Sequence, residues 1–330
     1  MKIIEKKRTE DRHELYLFGL RIRSKETWRG KWRRNQSREL NSWFDTAQKL
    51  RAYMAAEEDL HAIPQAKRDM PDNTVWQLWY QGEENAPGIV KKCLASVRKH
   101  TAGRPYVLLT ADNILEYLDI PDFIIRKYKE GKIGHANFSD IVRLMLLAAY
   151  GGTWLDATIL LTAPIPEEVE QSSFFAFRTT DFALLTHIPQ SIETLYHLFP
   201  ERNPWTPVGN PFHCCSSWFL HASRQNTLVC KTLASLFNHW KDRDEAIDYF
   251  IFHYFVTLFI IEDVESRRQY TAMPHIANYC PHVLQFSLLR PFNGQAFEEI
   301  KRMSFAHKLT YKFNGQLPAE DTFYNELLSD

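Results

Sequence analysis

Cysteine is scarce in this 330-residue chain: Cys93, Cys214, Cys215, Cys230 and Cys280 make an odd count with no Cys-x-x-Cys spacing. That pattern excludes a disulfide framework and a zinc-finger site, and it predicts small buried hydrophobes in a reducing compartment. Long apolar runs are missing as well. The most apolar stretch, Tyr249 to Ile261, is interrupted by His253 and Thr257, and its length predicts a buried helix, short of the ~18–20 residues a membrane span needs. Residues Met1 to Glu10 lack the apolar core of a signal peptide, so neither secretion nor integral insertion is expected and the reading is cytoplasmic. Internal repeats and low-complexity tracts are absent. Net charge is zero, with 40 basic and 40 acidic side chains, yet residues 1–40 carry 13 Lys or Arg against 6 Asp or Glu. A basic segment of this kind suits the inner, anionic face of a membrane, where each nearby cation contributes about 1 kcal/mol; a solvated helix surface explains it equally well. Nucleic acid is not expected as a partner, since only Arg29 to Arg38 with Trp28 and Trp32 would favour it.

What is present is a large apolar content, 45% hydrophobic and 14% aromatic, enough for a full core without metal or disulfide staples. Residues 1–70 are charged, show Leu50, Tyr53, Met54 and Leu60 at helical spacing, and end at the breaker Asp69-Met70-Pro71-Asp72; they predict a basic helical extension. Residues 71–330 read as one domain. Val75 to Tyr80 predicts a strand, Ile89 to His100 a helix and Tyr106 to Thr110 a second strand. A helical piece over Asn113 to Tyr117, a linker at Pro121, a helix over Phe138 to Tyr150 and a strand over Thr153 to Leu161 follow. Strands over Ser173 to Phe177 and Ser216 to His221 and helices over Thr227 to Lys241 and Glu245 to Ile261 complete the reading. The alternation implies an α/β fold with its ligand site at the carboxyl ends of the strands.

The chemistry concentrates between Ala136 and Thr158. Asn137 or Ser139 is a candidate helix cap, which would put Asp140 in the first turn, where the free amides favour a carboxylate. Arg143 lies one turn on; a surface ion pair and a ligand-binding pair are both open readings. Gly151-Gly152 ends the helix, because glycine accepts the left-handed backbone needed there. In a continuous strand Asp156 and Thr158 would face the same side, presenting two oxygen-bearing groups to a ligand. A hard divalent cation bridging two phosphates, Mn2+ or Mg2+, takes such oxygens and few protein carboxylates.

This block resembles the Asp-x-x-Arg … Gly-Gly-x-x-x-Asp-x-Asp signature of GT-A glycosyltransferases, specifically the capsular polysaccharide synthesis group. That group is allied to the initiating mannosyltransferases of glycosyltransferase family thirty-two and, more distantly, to the glucosylating toxins. The resemblance runs from Val75 to Phe313 and includes Val75-Trp-Gln-Leu-Trp79-Tyr-Gln-Gly82 as a first nucleotide-binding strand. It implies a GT-A type, Rossmann-like nucleotide-sugar-binding domain with a mixed central sheet. It further implies that Trp79 stacks on the base, that Ser139, Asp140 and Arg143 hold the ribose and donor sugar, and that Asp156 binds the metal. The motif departs at its last acid, which is Thr158 here, and this implies weaker metal binding. Asp248 is similar to an acidic residue that reaches the sugar or acceptor. His307 is similar to an imidazole completing the metal sphere, and Lys308 and Lys312 to lysines that contact the diphosphate. His253 reads as a core histidine, and His213 to Trp218 as a segment shaping the sugar and acceptor pocket.

The expected activity is retaining transfer of a hexose, galactose or glucose, from a UDP-sugar to a carbohydrate or lipid-linked oligosaccharide acceptor in capsular or exopolysaccharide synthesis. With no clear carboxylate nucleophile, front-face substitution is the expected course. A second reading, motivated by Thr158, is a non-catalytic glycan-binding or scaffold subunit that retains the fold.

Overall fold

The computed structural model describes residues 4–9, 12–17, 20–26, 28–179, 213–313 and 319–329. The chain divides into two compact units, Met1–Ala52 and Tyr53–Asp330. The first is not the helical extension expected over residues 1–70. It holds strands β1 (Ile4–Arg8), β2 (Arg12–Leu17) and β3 (Leu20–Glu26) in an antiparallel sheet, then helix α1 (Trp28–Arg51). β1 runs Glu5-Lys6-Lys7-Arg8 with no apolar alternation, and the alternation of β3 is confined to Leu20 through Arg23.

The second unit is α/β with a mixed central sheet. Its elements run β4 (Val75–Leu78), α2 (Gly88–His100), β5 (Tyr106–Leu109), α3 (Ile114–Tyr117), α4 (Asp122–Lys129), α5 (His135–Tyr150), β6 (Gly152–Leu155), β7 (Ile159–Leu161), α6 (Glu167–Glu170) and β8 (Phe174–Arg178). They continue with β9 (Cys215–Ala222), α7 (Thr227–Asp242), α8 (Ile251–Glu262), α9 (Val264–Ala272), α10 (Val283–Ser287), α11 (Gly294–Met303), β10 (Ala306–Lys308) and α12 (Phe323–Ser329). The five-stranded sheet has the order β5-β4-β6-β9-β8, parallel through β5, β4 and β6 and antiparallel at β6-β9 and β9-β8. A separate antiparallel pair, β10-β7, carries the chain's late segment back beside β6.

Period-two alternation sends each strand's side chains to opposite layers. On β4 and β6, Trp76 and Trp154 face α5: the Trp76 ring centroid lies 5.2 Å from that of Tyr150, and the Arg143 guanidinium lies 5.3 Å from the Trp154 ring centre. Val75 and Leu155 point the other way, into a core with Ile159, Phe175, Phe177, Phe219 and Ala306. A further cluster packs α2 through Ile89, Val90, Cys93 and Leu94 against Val283, Leu284, Phe297, Ile300, Phe323 and Leu327 of the carboxyl-terminal helices. Helix α5 is buried on nearly every side, held between the sheet and α7. The Tyr249 to Ile261 stretch forms the mostly buried α8, and among the described residues no helix is long and apolar enough to cross a membrane.

The glycine pair does what its position suggests. Gly151 and Gly152 have φ of 74° and 93°, a region closed to most L-residues. A Cβ on Gly152 would lie 2.1 Å from the carbonyl oxygen of Thr74, because Thr153 there donates its amide to that same oxygen at 2.9 Å. Gly152 therefore lets β6 dock directly against β4. Gly152→Ala combines backbone strain with a backbone clash and is expected to lower unfolding free energy by about 3 kcal/mol, read as a lower urea midpoint at unchanged slope.

Candidate functional site

Helix α5 begins at His135, with Gly134 as its cap, so Asp140 sits beyond the first turn and not within it. Its carboxylate meets Arg143, one turn on, in a buried ion pair. Past the glycines, β6 ends at Leu155 and the chain makes a turn closed by the Ile159 amide on the Asp156 carbonyl, 2.9 Å. The expected continuous strand from Thr153 to Leu161 is thus broken at the residues that matter. Asp156 and Thr158 come together through this turn, not through strand alternation. Pairing of β10 with β7 sets Lys308 opposite Ile159, and the Leu309 amide donates to the Thr158 carbonyl at 2.9 Å.

These elements deliver four charges to one place. Asp156 Oδ1 accepts from Arg143 Nη2 at 3.0 Å and from the Trp154 indole N–H at 3.0 Å. Its Oδ2 accepts from Lys308 Nζ at 2.7 Å, and the same ammonium donates to Thr158 Oγ1 at 2.8 Å. Acid and base alternate along Asp140, Arg143, Asp156 and Lys308. Burial drives the Asp140 carboxyl up to about 6, with the nearby charge of Asp156 adding to the rise and Arg143 opposing it. Burial also acts to raise Asp156, but Lys308 and Arg143 overcome it and hold that carboxyl below its usual range. Two neighbouring acids are thereby set apart in acidity, a common property of functional sites.

The cluster forms one wall of a cavity of about 710 Å³, large enough for a nucleotide-sized ligand. Trp79, Ser139, Asp140, Arg143, Asp156, Thr158, Lys308 and Lys312 all line it. Trp79 lies past the carboxyl end of β4, its ring edge-on to Tyr311 at 5.4 Å, and its indole N–H is buried with no hydrogen-bond partner. His213, Cys215, Ser216, Ser217 and Trp218 also reach the cavity, where the sequence places a pocket-shaping segment. The described cysteines are free thiols, three buried and two half-buried.

Two expected site residues lie elsewhere. His307 sits on β10 next to Lys308, so strand alternation turns it away; it is fully buried, with Nε2 3.3 Å from Thr162 Oγ1. Asp248 precedes α8, which starts at Ile251 and not at Glu245, and its Oδ1 accepts the Phe250 amide at 2.7 Å. Its neighbours Tyr249 and Phe250 line the cavity in its stead. His253, read as core, is half-buried and reaches the cavity, stacked on His213 with centroids 5.2 Å apart. Burial holds both imidazoles below their ordinary value, His213 at about 4. The aromatic wall of Tyr80, Tyr128 and Phe138 had no signal beyond ordinary core hydrophobicity; Tyr128 and Phe138 stack at 4.0 Å.

The residues present do not suit a bridging divalent cation. Both oxygens of Asp156 are engaged by cationic donors, the second acid is a threonine, and His307 points away. Among the described residues no three His, Cys, Asp or Glu side chains gather into a metal-binding group.

Residues 28–327 match the family described as "Capsular polysaccharide synthesis protein". The chain belongs to this family. The match spans α1 and nearly the whole α/β unit, and so includes every residue of the ionic cluster. Comparison with curated proteins finds no match. A solved structure titled "PaToxG Glycosyltransferase" aligns at 11% identity with a TM-score of 0.32, over 81% of this chain and 95% of that chain.

Arg143 is the shared partner of the buried Asp140 and the half-buried Asp156. Arg143→Met leaves both without it and is expected to cost about 3 kcal/mol of stability near neutral pH. In the variant Asp140 titrates higher when folded than when unfolded, so the deficit is full above its folded value. It shrinks as pH falls from there towards 4, where protonated carboxyls need no cation. Urea denaturation of both proteins at a series of pH values checks the sign.

Proposed function

We propose that this family member is a glycosyltransferase of GT-A type that moves a hexose from a UDP-sugar to a carbohydrate or lipid-linked acceptor, with retention at the anomeric carbon. The observation that carries the reading is the convergence of Asp140, Arg143, Asp156 and Lys308 on the wall of a cavity that also exposes Trp79. Each part suits one portion of such a donor. An aromatic ring with a free N–H suits a nucleobase. The Lys308 ammonium suits a diphosphate, with Lys312 at the rim as a second lysine. The Asp140–Arg143 pair, deeper in the cavity, suits sugar hydroxyls. Galactose or glucose is the proposed sugar.

Front-face substitution accounts for retention without an enzyme nucleophile. The acceptor oxygen bonds to the anomeric carbon as the bond from that carbon to the diphosphate breaks. The electron pair stays on the diphosphate oxygen, which also receives the acceptor hydroxyl's proton. Fixed positive groups beside the departing oxygen lower the barrier, and the walls hold the acceptor on the same face of the sugar as the leaving diphosphate. The basic excess over residues 1–40 supports adsorption to an anionic membrane surface, where a lipid-linked acceptor would reside.

Incubation of purified protein with a panel of UDP-sugars is expected to show UDP release with one donor and silence with the others. Silence throughout, with every acceptor, favours the glycan-binding reading. Asp156→Asn is expected to lower kcat by ~100-fold, since it loosens Lys308, and Trp79→Ala to raise the donor KM by ~10-fold. Because the ionised form of Asp140 accepts sugar hydroxyls, kcat/KM is expected to fall on the acid side of about pH 6.

A further inference from the structure

The geometry points to Lys308 as the group that replaces a divalent cation at the donor diphosphate, its ammonium seated between Asp156 and Thr158. This inference rests on the reading of the cavity as a nucleotide-diphosphate-sugar site, and it names how that site handles the leaving group's charge.

Three observations carry it. First, the ammonium occupies the place where an ion would bind. Lys308 Nζ lies 2.7 Å from Asp156 Oδ2 and 2.8 Å from Thr158 Oγ1, the two side chains at the motif's acidic positions. A divalent cation entering there would meet this ammonium and the Arg143 guanidinium, which lies 3.0 Å from the carboxylate's other oxygen. Second, the charges match. Two carboxylates balance a doubly charged ion; one carboxylate and one hydroxyl balance a single ammonium. The threonine that departs from the motif is therefore the residue that a lysine in this place calls for. Third, the lysine is held on rigid backbone, with β10 paired to β7 and the Leu309 amide bonded to the Thr158 carbonyl. An ammonium has three protons. Asp156 and Thr158 take two, and the third remains for a diphosphate oxygen at the cavity wall.

In the transfer step the acceptor oxygen bonds to the anomeric carbon as the bond from that carbon to the diphosphate breaks, the electron pair remaining on the diphosphate oxygen, which takes the acceptor's proton. The negative charge that develops there is met by Lys308, with Lys312 and Arg143 nearby. No further co-reactant is required.

Calorimetric titration of UDP into the full chain tests this, once in EDTA and once in manganese, alongside donor turnover under both conditions. The expected result is that UDP affinity and turnover change by no more than about twofold between the two, whereas Lys308→Met weakens UDP binding by ~10-fold or more in EDTA and lowers kcat by ~100-fold. Lys308→Arg keeps a cation on Asp156 and is expected to bind UDP without metal; it carries the test if the methionine variant does not fold, which thermal unfolding reports. Binding or turnover that requires manganese overturns the assignment, and so does a folded Lys308→Met protein that binds UDP as the wild type does. A chain that binds UDP without metal through Lys308 yet turns over no donor contradicts the transferase reading and leaves Lys308 in place. A chain that binds no UDP under either condition overturns both.

Discussion

The carboxylate of Asp156 is the constraint on which the site depends. It is reached by Arg143 from α5, by the Trp154 indole from β6 and by Lys308 from β10, so the adjoining α5 and β6 and the distant β10 are fixed around one anion. Each is held by backbone. The helix is locked to β6 by Gly151 and Gly152, β6 to β4 by the close approach that Gly152 permits, and β10 to β7 by strand pairing. The carboxylate gathers them at the end of the parallel strands, where α/β folds place their ligands.

Such a cluster is an expensive way to stabilise a fold, because desolvating charges offsets most of what their attraction returns. Its value lies in arrangement. Positive groups that are already oriented in the cavity wall need no reorganisation when charge develops on a ligand. The separation of acidities between Asp140, raised by burial, and Asp156, lowered by its cations, keeps the lower acid ionised and bonded to both bases at neutral pH. On the proposed reading the cavity is prepared for a diphosphate before one arrives.

Much of this was legible in the residues, for definite reasons. The glycine pair announced the helix-to-strand turn, and Asp140 and Arg143 at three-residue spacing announced their contact. The α/β alternation announced the fold class, and the family resemblance the mixed sheet. The misreadings have equally definite causes. His307 and Lys308 are neighbours on a strand, and period-two alternation forbids both from entering one site; the lysine went in. Asp248 was placed by its resemblance to an acidic residue of the family, whereas here it lies ahead of α8 and accepts the Phe250 amide. The pairing of Asp156 with Thr158 was right in outcome but wrong in cause, since a turn and not a strand joins them. The contact between Lys308 and Asp156 spans about 150 residues of chain and follows only from the β10-β7 pairing, a register that no local pattern encodes.

A structure of the chain with UDP bound, from crystals grown in the presence of EDTA, tests the central claim most directly. The account predicts the diphosphate within hydrogen-bonding reach of the Lys308 ammonium, with Asp156 still joined to Arg143 and the uracil against Trp79. A diphosphate bound away from Lys308, or an Asp156 released from both of its cations, would contradict it.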